Sequence, residues 1–203
     1  NAEYSDRDES TIPAGDPHLM SPFSRLYDDE GNVEWRPHGY NVYNPALNTL
    51  NAERKRKINN LFASPFIELV LPQGFTHRVT FQPRYRTFKD YEFWGEDTRT
   101  GGEIVSGGRA DREDETQFDW MLTNMLTWDK EMGIHDFNVT LVHEVEESQS
   151  WESFQQNTGF RPTANLGYSG LQYGTNPYLA TNDVKTTGEG MLARLNYTLL
   201  DKY

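Results

Sequence analysis

The 203-residue chain has a formal net charge of −12, and 13% of its residues are aromatic. Binding to nucleic-acid phosphates requires clustered Lys and Arg, so we expect no nucleic-acid partner. The chain has no cysteine, which excludes a disulfide framework and a thiol nucleophile, and it has no run of about eighteen apolar residues that would predict a membrane helix.

The first 56 residues are rich in Pro, Gly, Asn and Asp and show no sustained hydrophobic period, so we predict a long loop over 1–56. The opening "NAEYSDRDES" has no initiator Met and resembles the middle of a loop, which indicates a segment of a longer protein. The stretch "YDDEGN" at 27–32 lacks the alternating ligands and the distal Glu of a calcium loop. We interpret it as a hydrated acidic turn.

From residue 60 onward, apolar residues recur at every second position, which is the period of a β-strand. The predicted strands are longer than the five or six residues that are usual in globular proteins. We expect the short turns at 73–74 and 132–134 to lie at one end, and the long loops to lie at the other. Five strands are predicted, near 60–72, 75–94, 116–130, 136–150 and 188–202, with loops at 95–115 and 151–187.

The central hairpin separates its side chains most clearly. Its first arm has Phe118, Trp120, Leu122, Leu126 and Trp128 on one face, and its second arm has Phe137, Val139, Leu141 and Val145. The opposite positions are mostly polar or charged. A membrane barrel shows such an apolar face to lipid and turns its polar face to a wet interior.

The spacing of two tryptophans tests this interpretation. Trp120 and Trp128 are eight residues apart, about 26 Å along a strand and roughly 20 Å along the membrane normal after a tilt of about 40°. The apolar band of an outer-membrane barrel is about 25 Å tall and has an aromatic girdle at each edge. We predict that both tryptophans belong to a lipid-facing girdle. The alternative is a pair of core tryptophans in a β-sandwich.

Four stretches of this sequence resemble the SusC/RagA-type TonB-linked outer-membrane transporters of Bacteroidota. They follow the order expected in the middle of the family's barrel, and they combine strand pattern with turn chemistry. The stretches are "SPFSRLYDDEGN" at 21–32, "NPALNTLNAERKRKINNLFASPFIELVLPQGFTHRVTF" at 44–81, "LTNMLTWDKEMGIHDFNVTLVHEVEESQSW" at 122–151 and "TGEGMLARLNYTLLDKY" at 187–203.

The resemblance implies an all-β fold in which 57–203 is an antiparallel segment of a 22-stranded, plugged transmembrane β-barrel in the outer membrane. Its turns would be periplasmic, and 1–56 would be an extracellular loop. The implied function is TonB-dependent uptake of glycan or oligopeptide beneath a SusD-like surface lipoprotein lid. Further partners would be outer-membrane lipid, the rest of the same barrel and its plug. The plug and the N-terminal segment that contacts TonB are absent from this chain.

Two sets of residues are candidates for function in such a barrel. Charged residues on the polar face would line the lumen, where they either tune passage or form a wet wall of neighbouring pairs. Aromatic residues toward the loops are candidates for contact with substrate or lid, although packing of the loops is the role we favour. The first set is Arg78, Arg84, Arg86, Asp90, Glu144 and Glu146; the second is Tyr91, Trp94, Trp151, Phe160, Tyr168 and Tyr173.

Catalysis and cofactor binding are not predicted. In "HEVEE" at 143–147, strand alternation points His143 away from Glu144 and Glu146, so the three cannot converge on one atom. We therefore expect a transport segment without enzymatic activity or cofactor. A soluble carbohydrate-binding β-sandwich and a secreted glycan-active enzyme remain the alternatives.

Overall fold

The structure is a computed structural model that describes residues 2–8, 21, 23–37, 43–160 and 164–200. Strands make up most of the described chain. In chain order the elements are β1 (Ala2–Asp8), α1 (Pro45–Asn51), β2 (Ala52–Ala63), β3 (Phe66–Leu71), β4 (Phe75–Trp94), β5 (Arg109–Met132), β6 (His135–Thr158) and β7 (Tyr178–Leu199).

All seven strands belong to one antiparallel sheet. The order across it is β1-β2-β4-β5-β6-β7, and β3 pairs with the part of β4 that β2 leaves free. The predicted all-β antiparallel fold is therefore confirmed. The sheet is not closed, and within the described residues β1 and β3 lie at one edge and β7 at the other.

The strand predicted over 60–72 is interrupted by two prolines, Pro65 in the strand itself and Pro83 in the neighbouring strand β4. The register is the same on both sides of the break, so β2 and β3 form one line beside β4. The carbonyl of Pro65 accepts a hydrogen bond from the N–H of Phe81 at 3.0 Å, but Pro65 has no N–H to return. Pro83 lies two residues further along the same edge of β4 and also lacks a donor. Because two N–H donors are missing between the same pair of strands, the predicted strand is divided into β2 and β3.

β1 corrects the prediction that 1–56 is loop throughout. It pairs with β2 along its whole length, with Ala2 opposite Ala63 and Asp8 opposite Lys57. Nearly all of its residues are exposed, so the sequence has no apolar alternation that would reveal a strand. β2 also begins earlier than predicted, at Ala52. The parts of this stretch that lie outside the described residues are 1, 9–20, 22 and 38–42.

The helix α1 begins at an asparagine cap. The side-chain oxygen of Asn44 accepts a hydrogen bond from the N–H of Ala46 at 2.9 Å, and a proline occupies the first turn. The side-chain amide of Asn44 donates to the carbonyls of Leu26 at 2.7 Å and Glu34 at 2.8 Å, which ties the helix to the segment 23–37. None of the helices in the described ranges has the length and apolar character needed to cross a bilayer.

The two short turns lie at the same end of the sheet, as predicted, because Phe75 at the start of β4 faces Trp128 near the end of β5. Gly133, in the turn between β5 and β6, has a φ of 66°, the positive value that a tight hairpin turn requires. In the turn between β3 and β4, Gln73 and Gly74 both have positive φ. We call this end of the sheet the turn end and the opposite one the loop end.

β5 and β6 run further toward the loop end than predicted, since each has 24 residues. The connections are therefore 95–108 and 159–177 rather than 95–115 and 151–187. The outer part of β5, "RADREDE", is polar on both faces, so hydrophobic alternation gives no signal there. The backbone ladder nevertheless continues without a slip to the last residue pair of the hairpin.

A second β-layer does not cover the sheet in the described part of the chain. Met191 and Leu195, for example, are 80% and 65% exposed. The few buried apolar residues lie toward the loop end, where the connections fold against the strands. They are Leu47, Ala52, Tyr91, Phe93 and Ala110.

The turn at Gly74 should tolerate a side chain less well than the turn at Gly133. A Cβ on Gly74 would lie 2.0 Å from the carbonyl oxygen of Asp129, whereas nothing lies within 4 Å of a Cβ on Gly133. Both residues have positive φ, which alone costs about 1–2 kcal/mol for alanine. We expect Gly133→Ala to lower the free energy of unfolding by about that amount and Gly74→Ala to lower it clearly further. Urea titration of the full-length protein measures both, and equal losses would contradict the predicted clash.

Candidate functional site

The cross-strand register divides the side chains of the sheet between two faces. Residues directly opposite each other share a face, and successive residues along a strand alternate. Phe81 faces Leu122, which faces Val145, so these three lie on one side, which we call the apolar face. Thr80 and Thr123 face each other on the other side, which we call the polar face.

The six charged residues predicted to line a lumen all lie on the polar face. They occupy even positions of β4 and β6, which the register connects through odd positions of β5. Trp120 and Trp128 lie on the opposite face, as the alternation predicted. That the polar face lines a lumen remains a prediction.

The strongest polar contact on this face is centred on Asp90. Arg54 donates from Nε to one carboxylate oxygen of Asp90 at 2.9 Å and from a terminal nitrogen to the other at 2.6 Å. Arg56 donates to Asp90 from Nε at 3.0 Å and from a terminal nitrogen as well. Arg54 also lies 2.9 Å from Glu92. Asp90 is only 10% exposed, so this network is largely shielded from water.

Sequence reasoning missed Arg54 and Arg56 of the run "ERKRK" at 53–57, because the loop predicted over 1–56 includes both arginines. In the structure this run is part of β2. Strand alternation places both arginines on the polar face and both lysines, Lys55 and Lys57, on the apolar face. The alternation of Arg and Lys within the run was the available signal.

Further contacts lie along the polar face toward the turn end. Arg84 donates to the side-chain oxygen of Asn60 at 2.9 Å. Arg78 lies over the ring of Phe66, with 4.0 Å between the guanidinium carbon and the ring centroid. Thr123 donates to the carboxylate of Glu144 at 3.2 Å. These contacts join neighbouring strands, which is the arrangement expected of a polar wall.

Three of the predicted aromatic contact residues, Tyr91, Phe160 and Tyr168, pack at the loop end of the apolar face. The rings of Tyr91 and Tyr168 are 5.8 Å apart, and the guanidinium of Arg112 lies 4.2 Å from the Tyr91 ring centroid. Phe160 meets Phe93 edge-on at 5.9 Å. The connection 159–177 therefore folds back onto the sheet. Burial raises the pKa of Tyr168, and the Glu53 carboxylate raises it further.

The other three aromatic residues lie elsewhere. Trp94 is on the polar face, where its indole N–H donates to Glu92 at 3.4 Å. Trp151 is on the apolar face and 38% exposed, and Tyr173 is exposed in the connection. The six aromatic residues thus do not converge on one site.

Aromatic rings form a row at the turn end of the apolar face. Trp128 stacks against Phe75 at 6.1 Å and against Phe137 at 6.4 Å, and Phe137 lies 5.1 Å from Tyr197. The row crosses four strands, β4 to β7. The indole N–H of Trp128 also donates to the carbonyl of Gln73 at 3.1 Å, which anchors it to the turn. Eight residues further along β5, Trp120 packs against a second ring, and Phe118 and Tyr85 lie in the next row.

The apolar side chains between these rings form a band that crosses the sheet obliquely. Toward the loop end, the band extends to Leu61 on β2 but only to Met191 on β7. Toward the turn end it extends to Leu71 on β3 and to Leu199 on β7. We call this surface the oblique band.

The slope of the oblique band gives the tilt of the strands relative to it. From β2 and β3 to β7, the edges of the band shift along the strands by four to six residues, or about 13–20 Å. This shift occurs across four strand spacings of about 4.8 Å each. The corresponding angle is about 35–45°, the tilt at which strands of outer-membrane barrels cross the bilayer. His77, Asn124 and His143 interrupt the band, and His143 is paired with Glu189 at 2.8 Å.

The acidic turn at 27–32 is closed by its own hydrogen bonds. One carboxylate oxygen of Asp28 accepts from the N–H groups of Glu30 at 2.9 Å and Asn32 at 2.8 Å, and the other accepts from the Asn32 amide at 3.1 Å. The hydrogen bond from the Asn32 side chain is the main cause that lowers the pKa of Asp28. The residues of this turn are exposed, in keeping with the predicted hydrated turn.

Removal of the Asp90 charge should destabilise the protein, because Asp90→Asn leaves two arginines without their shared carboxylate. Hydrogen bonds to charged groups contribute about 1.5–3 kcal/mol each, so we expect a loss of about 2–3 kcal/mol in the free energy of unfolding. Asp29→Asn is the matched control, since its pair with Arg25 is exposed and should contribute little. Similar small effects in urea titrations of both variants would contradict a structural role for Asp90.

Comparison with solved structures relates this sheet to a transport protein. The fold is similar to part of a chain in a structure described as the RagAB peptide transporter, with a TM-score of 0.71 and 12% sequence identity. The alignment covers 88% of this chain and 20% of that chain, so this chain spans about a fifth of the length of the protein it matches. No protein-family model matches the sequence, and neither does any curated protein. The similarity is thus one of fold.

Proposed function

We propose that this chain is a segment of a TonB-dependent outer-membrane importer that takes up oligopeptide or glycan. The observation that carries the proposal is the oblique band, an uncovered apolar surface with aromatic rings at both edges and a slope that matches a tilted membrane strand. Soluble monomers seldom expose apolar patches of more than a few hundred Å². Lipid is the cover that fits its height and its slope.

The polar face would line the interior of the barrel. Its arginines and carboxylates pair across strands, as around Asp90, and so present a hydrated wall to the plug and to cargo. A membrane barrel needs at least eight strands, which is more than this sheet has. The exposed edges, at β1 and β3 on one side and at β7 on the other, would therefore pair with strands elsewhere in the same protein.

The partners follow from the same proposal. A plug within the barrel, TonB on the periplasmic side and a SusD-like lipoprotein over the loop end would complete the importer. The fold similarity to the RagAB peptide transporter supports a transport segment of this type. The resemblance of the sequence to the SusC/RagA-type family supports it independently, through the quoted strand and turn stretches.

The proposal includes no bond chemistry. His143 lies on the apolar face and pairs with Glu189, whereas Glu144 and Glu146 lie on the polar face. A β-sandwich that binds carbohydrate would bury the apolar face under a second sheet. The described strands all belong to one sheet, which favours the importer over the sandwich.

An arginine on the apolar face should be far more damaging than one on the polar face. Leu126 and Met125 are neighbours in β5 and lie on opposite faces. Arginine near the middle of the lipid-facing band costs about 2–4 kcal/mol, and a lumen position costs little. We expect Leu126→Arg to impair assembly of the full-length protein into phospholipid vesicles and Met125→Arg to assemble normally. Protease protection of the vesicle-bound barrel measures assembly, and normal assembly of Leu126→Arg would refute a lipid-facing band.

Transport can be tested in cells that carry or lack the gene. We expect cells with the full-length protein to take up a labelled oligopeptide or oligosaccharide mixture faster than deletion cells. Uptake should fall to the deletion level when a protonophore collapses the inner-membrane energy gradient that TonB uses. Mass spectrometry of the imported mixture would identify the cargo class. Uptake that is insensitive to the protonophore would contradict TonB dependence.

A further inference from the structure

The two faces of the strands β5, β6 and β7 differ strongly in charge. On the polar face these strands have ten carboxylates and two arginines, a net charge of −8. On the apolar face the same strands have four carboxylates and three basic residues, a net charge of −1 with His neutral. The excess of negative charge therefore belongs to one face of these strands and does not follow from the acidic composition of the chain alone.

Six of these carboxylates follow the polar face of the hairpin β5–β6 from the loop end to the middle of the sheet. We call them the acidic track. The ten residues of β5 that the track spans are about 33 Å along the strand and about 25 Å along the membrane normal at a tilt of about 40°. The loop end faces the outside in outer-membrane barrels, so the track leads from the outer mouth toward the middle of the bilayer. Its members are Glu113, Glu115, Glu152, Asp119, Glu146 and Glu144.

Most carboxylates of the acidic track are not neutralised by a cation. Glu115 and Glu152 are directly opposite each other, and like charges in that position destabilise a sheet. Burial raises the pKa of Glu113, and the neighbouring Glu152 carboxylate raises it further. Within the described part of the chain, Glu113, Glu115, Glu146 and Glu152 have no basic group within ion-pair distance.

Two arginines of β4, Arg84 and Arg86, border the acidic track without cancelling its charge. Arg84 is directly opposite Asp119, but it donates to Asn60 at 2.9 Å, whereas Asp119 accepts from Ser148 at 2.6 Å. The polar face of β2, β3 and β4 has five arginines and three carboxylates, a net charge of +2. The polar face of β2 to β7 as a whole thus has a net charge of −6.

The neighbouring strand β7 leaves the inner part of the acidic track open. Glu146 is directly opposite Gly188, and Glu144 is directly opposite Gly190. A Cβ on Gly188 would lie 2.6 Å from a carboxylate oxygen of Glu146, and nothing lies within 4 Å of a Cβ on Gly190. Because β7 has no side chain at either position, both carboxylates can be reached from the polar side of the sheet.

We propose that the importer selects positively charged oligopeptides, whose Lys and Arg side chains interact with the acidic track during entry. The proposal rests on the proposed function, since the polar face must line the lumen. Clefts lined by one sign of charge raise the local concentration of oppositely charged solutes by about 10- to 1,000-fold, and rings of carboxylates select cations in channels. Ammonium and guanidinium groups also donate charge-assisted hydrogen bonds to carboxylates.

The test measures uptake of two labelled oligopeptides of equal length that differ only in having Lys or Glu at the same positions. Cells with the full-length protein are compared with deletion cells. We expect wild type to take up the lysine peptide about 10- to 100-fold faster than the glutamate peptide. The double variant Glu115→Gln, Glu152→Gln should reduce this preference about three- to tenfold, because one unit charge at about 7 Å in water changes binding by about a factor of three.

The matched control is the double variant Asp6→Asn, Asp183→Asn. It removes two exposed carboxylates from the apolar face, and Asp183 is opposite Trp151, the neighbour of Glu152. The preference for the lysine peptide should not change. A second variant, Glu144→Gln with Glu146→Gln, tests the inner part of the acidic track and should also reduce the preference. The amount of each variant in the outer membrane is measured beside its uptake.

Equal uptake of both peptides by wild type, or an unchanged preference in both glutamine variants, would overturn the proposal. An equal loss of uptake for both peptides would also overturn it, since the carboxylates would then act on the plug or the wall and not on cargo. Failure of the proposed function is distinguishable, because no cargo mixture would then enter faster than in deletion cells. Energy-dependent uptake of the mixture without uptake of the lysine peptide would overturn the selectivity alone.

Discussion

The unbroken antiparallel register is the constraint on which the rest of this structure depends. From β4 to β7 the strands pair residue by residue over their shared length without a bulge. A shift of one residue in any strand would move all of its side chains to the other face. The oblique band, the aromatic row at the turn end and the Asp90 network exist only because the alternation of every strand is in phase with that of its neighbours.

Different interactions stabilise the two ends of the sheet. At the turn end, tight turns with positive φ and the anchor from Trp128 to Gln73 hold the strands in register with few residues. At the loop end the outer part of β5 is polar on both faces, and β5 and β6 continue well beyond the band. Tyr168 and Phe160 pack there against the apolar face, so much of the limited buried surface of the described residues forms where the oblique band has ended.

The arginines and lysines at the start of β2 have different surroundings on the two faces of the sheet. On the polar face Arg54 and Arg56 are held by Asp90, and their side chains are 18% and 29% exposed. On the apolar face Lys55 and Lys57 alternate with them along the same strand and point away from that network. A single five-residue run thus supplies two arginines to a shielded ion-pair network on one side of the sheet and two lysines to the other side.

The sequence by itself determined the central parts of the hairpin strands, the two short turns and the faces of the six charged residues and of Trp120 and Trp128, because period-two alternation and turn residues are local properties. It could not reveal β1, whose faces are both exposed, nor the outer parts of β5 and β6, because only backbone pairing distinguishes a doubly polar strand from a loop. The partners of Asp90 and the packing of Tyr168 onto Tyr91 were likewise decided by tertiary structure. These contacts join residues 34 or more positions apart. Strand register and the folding of the connection 159–177 onto the sheet bring them together.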